Sequence, residues 1–259
     1  MLSCYRLACR QAGTIVLLLL FIIAAEATAA DEWRTLSKGL EYKKISVNTM
    51  VGSERTASPG AIHLFKIDTT QYKLDVITAK RFNMLNSNAK TFAQKAAALI
   101  AINGGFFSPE FESLGLLVQK NKEINKIKWV GWWHIFQMRY MKPQIITKQE
   151  YTLIPDIEMA IEAGPRLLID GQIVAKLKPS VAERSALGIT ADGKVIIAAT
   201  DALPLSLNEF AGYLKAAGCY DALNLDGGSS TQIYAKIGEF ELNRAGLGLV
   251  ANGVGVFPR

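Results

Sequence analysis

The stretch RSALGITADGKVIIAATD, residues 184–201, decides the fold class. Two runs of β-branched and small apolar residues flank Asp192-Gly193, and a strand–Asp-Gly–strand pattern is a strong short-range signal for a β-hairpin. The same grammar recurs upstream in EAGPRLLIDGQIV (162–174) around Asp170-Gly171, and GLLVQKNKEINKI (115–127) reads as a further hairpin. AIHLFKID and YKLDVITA, separated by TTQ, predict another hairpin over residues 61–79. Helices are fewer. SLNEFAGYLKAAG (206–218) places Ser206 and Glu209 in capping-box spacing, with Gly218 as a stop. Thr91 and Gln94 show the same spacing and predict a short helix to about Ala98, ahead of a buried strand LIAIN. The class is therefore α+β: one domain with a mixed or antiparallel β-sheet rich in hairpins and a few packed helices.

The chain has 259 residues, and the first 30 read as a targeting segment. Arg6 and Arg10 precede the apolar run TIVLLLLFIIAA (14–25), which Glu26 and then Ala27-Thr28-Ala29 follow. A basic start, a short apolar stretch and small residues at a cleavage site describe a secretory signal peptide. The run falls short of the roughly 20 residues of a membrane span, although an uncleaved anchor is the alternative. The expectation is a signal peptide over 1–30 and a periplasmic or secreted domain over 31–259, with no membrane contact after cleavage. Loss of Cys4 and Cys9 leaves Cys219 alone, so no internal disulfide holds the exported domain. The formal net charge of +6 is scattered, apart from KNKEINKIK (120–128), which reads as a solvated hairpin. It lacks the dense basic run of a nucleic-acid arm, so no nucleic acid is expected as partner.

The third Asp-Gly turn differs from the other two. LNLDGGSSTQIY (223–234) offers a carboxylate, two glycines and three hydroxyls, more than a turn requires. Adjacent glycines free the backbone to present N–H groups as an anion-binding nest, and Asp226 at its lip suits acid–base chemistry or metal binding. INGGFF (102–107) has the same character, with Asn103, Gly104 and Gly105 closing a buried strand. Arg166 and Arg184 each stand at a strand start and together form a candidate oxyanion clamp. A serine hydrolase lacks its G-x-S-x-G elbow here, and neither zinc spacing nor a phosphate-binding P-loop occurs. His63 and His134 sit where packed imidazoles are expected.

Taken in order, INGGFF, AGPRLLIDG, RSALGITADGKVIIAATD, DALNLDGGSSTQIY and VANGVGVF resemble the phosphodiester glycosidase family over residues 100–257. That resemblance implies hydrolysis of the glycosidic C–O bond of a sugar-1-phosphodiester, of the N-acetylglucosamine kind. It carries Asn103, Gly104, Gly105, Gly227, Gly228, Ser229 and Ser230 over as substrate-binding positions. Asp226 is carried as the catalytic carboxylate, with Arg166 and Arg184 on the phosphate. Asp201, which ends AATD, is a second acid of the pair that glycosidases use, or equally a strand-end cap. No cofactor is demanded, although Asp226 with a partner acid leaves room for a divalent cation. The partner implied is a sugar phosphate or cell-envelope glycan. Two readings compete with the glycosidase: a non-catalytic envelope protein that binds such a ligand through the same loops, and a hydrolase or transferase of another anionic envelope polymer. Trp129, Trp132 and Trp133 suit either sugar stacking or a structural role as a core-facing or hydrophobic lid segment, and the structural reading is preferred.

Overall fold

The computed structural model describes residues 32–47, 60–152, 154 and 156–259; the expected signal peptide lies outside them. Cross-strand pairing is antiparallel throughout the three main sheets. The largest runs, in spatial order, Arg34–Ser37, Leu40–Val47, Gly60–Ile67, Val195–Asp201, Ser185–Thr190, Cys219–Asn224, Arg166–Ile169 and Gln172–Ile173. The second joins Phe240–Arg244, Ile233–Ile237, Ile100–Asn103, Asn252–Pro258 and Tyr72–Thr78. The third joins Lys122–Asn125, Leu117–Gln119, Ile157–Ala163, His134–Arg139 and Lys142–Ile146.

The strand Val195–Asp201 shows how the layers stack. Its alternate residues Val195, Ile197 and Ala199 enter a core shared by all three sheets, with Val76, Ile102 and Val254 from the second and Phe136 and Ile161 from the third. Ile196 and Ala198 face the other way, onto Phe210 and Leu214 of the helix Leu207–Ala216. Period-2 alternation with both faces apolar is what a strand sandwiched between two layers requires. The predicted helix at 206 forms with both bonds of its Ser206/Glu209 capping box.

The hairpins at 166–173 and 117–125 close through paired left-handed residues, Asp170-Gly171 and Lys120-Asn121, as type I′ geometry demands. The 185–201 hairpin also forms, over residues 191–194 with only Gly193 left-handed. Two expectations are corrected. Gly60–Ile67 does not pair with Tyr72–Thr78: its edges are taken by Leu40–Val47 and Val195–Asp201. Tyr72–Thr78 pairs instead with Asn252–Pro258, so the turn after Asp68 passes the chain from one sheet to another. The first helix spans Ala89–Ala96 and is capped by Asn88, whose side chain accepts from Thr91 N. Thr91 is an acceptor's partner within the first turn, not the cap.

Candidate active site

Asn103 ends the innermost region of the second sheet and is fully buried. Its Oδ1 accepts from Ser185 Oγ at 2.7 Å and from Gln232 N at 3.1 Å, while its Nδ2 donates to the Asp226 carbonyl at 2.7 Å. Asp226 N returns a bond to Gly104 O at 3.1 Å. The loops after Ile100–Asn103 and Cys219–Asn224 belong to different sheets, and Asn103 stitches them together where the sheet ends meet. The Asp226 side chain accepts from Gly227 N at 3.0 Å and from the Ser230 hydroxyl. Burial raises its pKa above the usual aspartate value, and those two donors only partly offset that cost.

The glycines work inward. A Cβ on Gly104 would lie 2.2 Å from Asn252 Oδ1, and one on Gly227 would lie 2.7 Å from the Glu183 carbonyl. The N–H groups of Gly104 and Gly105 donate to Asn252, that of Gly227 to Asp226, and that of Gly228 to Glu183 O. The outward-facing nest expected of these backbones is thus replaced by close loop-to-loop packing, because each donor finds a protein acceptor. Ser230 is buried and bonded to the carboxylate, whereas Ser229 is exposed at the rim.

Beside this junction runs a charged chain of which sequence reading singled out only Asp201 as a candidate. Glu183 Oε1 accepts from Ala202 N at 3.0 Å, and its Oε2 pairs with Arg244. Arg244 Nε lies 3.6 Å from Asp201 Oδ1, Asp201 Oδ2 lies 3.4 Å from His63 Nε2, and His63 Nδ1 meets Tyr42 OH at 2.8 Å. Burial holds the His63 pKa below its ordinary value despite Asp201, so at neutral pH the imidazole is uncharged. Burial, with the Asp201 charge beside it, pushes the Tyr42 hydroxyl up to about 12. Asp201 ends the strand Val195–Asp201 and Asp226 lies in the loop after Cys219–Asn224, and Ser185–Thr190 runs between those two strands.

The two predicted arginines stand differently. Arg166 pairs with Asp221, five residues before Asp226 in the chain, and is close enough to His134 to lower its pKa further. Arg184 is buried and donates to Leu205 O at 2.9 Å and to the carbonyl and hydroxyl of Ser180. Arg244, not either of these, is bonded into the network around the Asp226 loop. In sequence it is one residue of an exposed-looking hairpin, Phe240–Arg244, with nothing to set it apart. Glu183 was visible beside Arg184 in ERSALGI but carries no periodic signal of its own.

A phosphodiester glycosidase family model matches residues 96–257, which include both stitched loops, Asp201 and Arg244. The chain belongs to the phosphodiester glycosidase family. The fold of this family member is similar to the catalytic domain of zebrafish N-acetylglucosamine-1-phosphodiester alpha-N-acetylglucosaminidase, a structure auto-inhibited by its pro-peptide. The TM-score is 0.65 at 18% identity, covering 89% of this chain and 87% of that one. It is also similar to a hypothetical protein from Synechocystis, with a TM-score of 0.59 at 18% identity, covering 86% of this chain and 63% of that one. The phosphodiester glycosidase chain thus spans less than two thirds of the Synechocystis protein. No curated protein matches it in sequence. Among the described residues, no group of three or more His, Cys, Asp or Glu side chains is arranged to hold a metal ion.

Proposed function

We infer that this chain is an exported hydrolase that cleaves the glycosidic C–O bond of a sugar-1-phosphodiester, of the N-acetylglucosamine-1-phosphodiester kind. The observation that carries this reading is Asp226: a carboxyl group of raised pKa, at a junction built from both family loops. A phosphodiester is a good leaving group and departs with little protonation. The demand on the protein is a carboxylate beside the oxocarbenium-like centre. A raised pKa makes Asp226 a stronger base, suited to taking a proton from the attacking water. Asp201, held between Arg244 and His63, is the second acid. Arg184 and Arg244, bonded to protein groups from buried positions, favour the departing phosphate through their field rather than as a preformed bidentate clamp. Ser229 is the exposed hydroxyl donor at the rim.

The test is release of free sugar from N-acetylglucosamine-1-phosphodiesters, including UDP-N-acetylglucosamine, with and without chelator. Saturable turnover is expected; saturable binding with no release would instead make the protein a recognition module. Export rests on residues 1–30. The mature protein is expected outside the cytoplasm with its N-terminus at Ala30 or Asp31, read by N-terminal sequencing of cell fractions. A full-length cytoplasmic product would refute it.

A further inference from the structure

The tryptophan segment divides in two. Trp133 is buried, 6% exposed, and stacks on Phe106 with ring centroids 4.9 Å apart. Packing accounts for it fully. Trp132, 46% exposed, packs edge-on against Phe106 and Trp133, whereas Trp129 is 69% exposed and packing does not account for it. The backbone that carries them is nevertheless tightly held. Glu162, with no exposed surface, accepts from Lys128 N at 2.9 Å and Leu116 N at 2.8 Å. Lys148, also buried, spends its ammonium on the carbonyls of Val130 and Trp133, both at 2.6 Å. Burying a carboxylate and an ammonium is costly unless each is well bonded. Glu162 holds the loop at Lys128 and Lys148 holds it at Val130 and Trp133, and Trp129 stands outward between those two anchors.

Trp129 lines a cleft of about 140 Å³ with Trp133, His134, Thr147, Lys148 and Gln149. On its other side the loop is continuous with the candidate active site. Trp132 meets Phe106, the residue after Gly105, edge-on at 5.7 Å, and its backbone lies against Gly164, two residues before Arg166. We propose that Trp129 is the stacking platform of a pyranose-binding subsite, beside the site at which the phosphodiester is cleaved. It would take a sugar ring of the substrate on the far side of the phosphate. An aromatic face covers the C–H surface of such a ring, while the hydroxyl of Thr147, the imidazole of His134 and the amide of Gln149 supply partners for its hydroxyls. The vesicle arm of the test below separates a sugar subsite from a membrane contact, since Lys126 and Lys128 stand beside Trp129 in the chain. The stapled loop lowers the ordering cost of binding.

This subsite rests on the proposed glycosidase reading for its substrate, but its test reads binding alone. Intrinsic tryptophan fluorescence of the purified protein is titrated with an N-acetylglucosamine tetramer, with a mannose tetramer and with anionic phospholipid vesicles. At least one oligosaccharide is expected to perturb the emission saturably. Trp129→Ala is expected to weaken that binding about tenfold, equivalent to about 1.4 kcal/mol, as measured by calorimetry so that loss of the fluorophore does not matter. Trp129→Phe is expected to retain most of it. Absence of saturable binding to either sugar, or equal affinity in Trp129→Ala, overturns the proposal. So does vesicle binding, lost in Trp129→Ala, without sugar binding. A protein that binds sugar through Trp129 but releases none from a phosphodiester refutes the glycosidase and leaves the subsite standing.

Discussion

Asp226→Asn is expected to lower sugar release by roughly 10²–10⁴-fold, the contribution of a well-placed acid–base group, and to leave the protein folded. The fold survives because asparagine keeps an oxygen to accept from Gly227 N and Ser230, the two partners of the native side chain. The same substitution also changes how stability depends on pH. Burial raises the folded-state pKa of Asp226 above its unfolded value. Its contribution to stability is therefore fully present below the unfolded pKa, roughly 4, and is lost as pH rises through the folded value. Asparagine never ionises and escapes that loss. At neutral pH the variant should thus melt at or above the parent's temperature, and the gap should close on acidification towards the ordinary aspartate range. A variant that melts well below the parent at pH 7 would mean that ionised Asp226 supports the fold rather than straining it. In the parent, activity that needs the ionised carboxylate should fall off on its acid side above the usual aspartate pKa.

Asn103→Leu is expected to cost about 3–5 kcal/mol of stability in urea unfolding, since buried polar groups left unpaired cost about 1–3 kcal/mol each. Leucine has similar volume but no polar atoms. It would orphan the fully buried Ser185 hydroxyl, the Gln232 amide and the Asp226 carbonyl together. Those three groups belong to three different strands or loops, so loss of the amide leaves the Asp226 loop tied to the second sheet only through Asp226 N and Gly104 O. Activity should fall even at temperatures where the variant remains folded. A loss under 1 kcal/mol would show that water or a side-chain shift replaces Asn103 readily, and that it does not organise the junction.

Local grammar was legible in the sequence and long-range partnership was not. The Asp-Gly hairpin at 170, the Lys120-Asn121 hairpin and the Ser206/Glu209 capping box all involve residues within a few positions of one another, and all form. The error at 61–79 arose because short connection length suggests pairing, while the free sheet edges decide it. Gly60–Ile67 had neighbours on both sides from residues 40–47 and 195–201. The first helix was misplaced at its start because Asn88 and Thr91 are both good capping residues, and only Asn88 lies outside the helix. At the site, the two glycine loops were recognisable as unusual, and they do meet. Their glycines could equally have opened a nest or allowed close packing, a choice made by Asn252 and Glu183, which are distant in sequence. The arginines illustrate the same limit. Arg166, Arg184 and Arg244 differ only in what surrounds them, and that surrounding comes from residues such as Asp221, Ser180 and Glu183. Among the tryptophans, the core-facing reading suits Trp133, holds in part for Trp132, which packs on Phe106 and Trp133, and fails for Trp129.

The most direct measurement of the central claim is the position of bond cleavage. Hydrolysis of an N-acetylglucosamine-1-phosphodiester in ¹⁸O-labelled water, read by mass spectrometry of both products, distinguishes the two bonds that water can break. The account predicts the label in the released sugar and none in the phosphate monoester, with both products lost in Asp226→Asn. Label in the phosphate, or a sugar-1-phosphate as product, would make the protein a phosphodiesterase and contradict it.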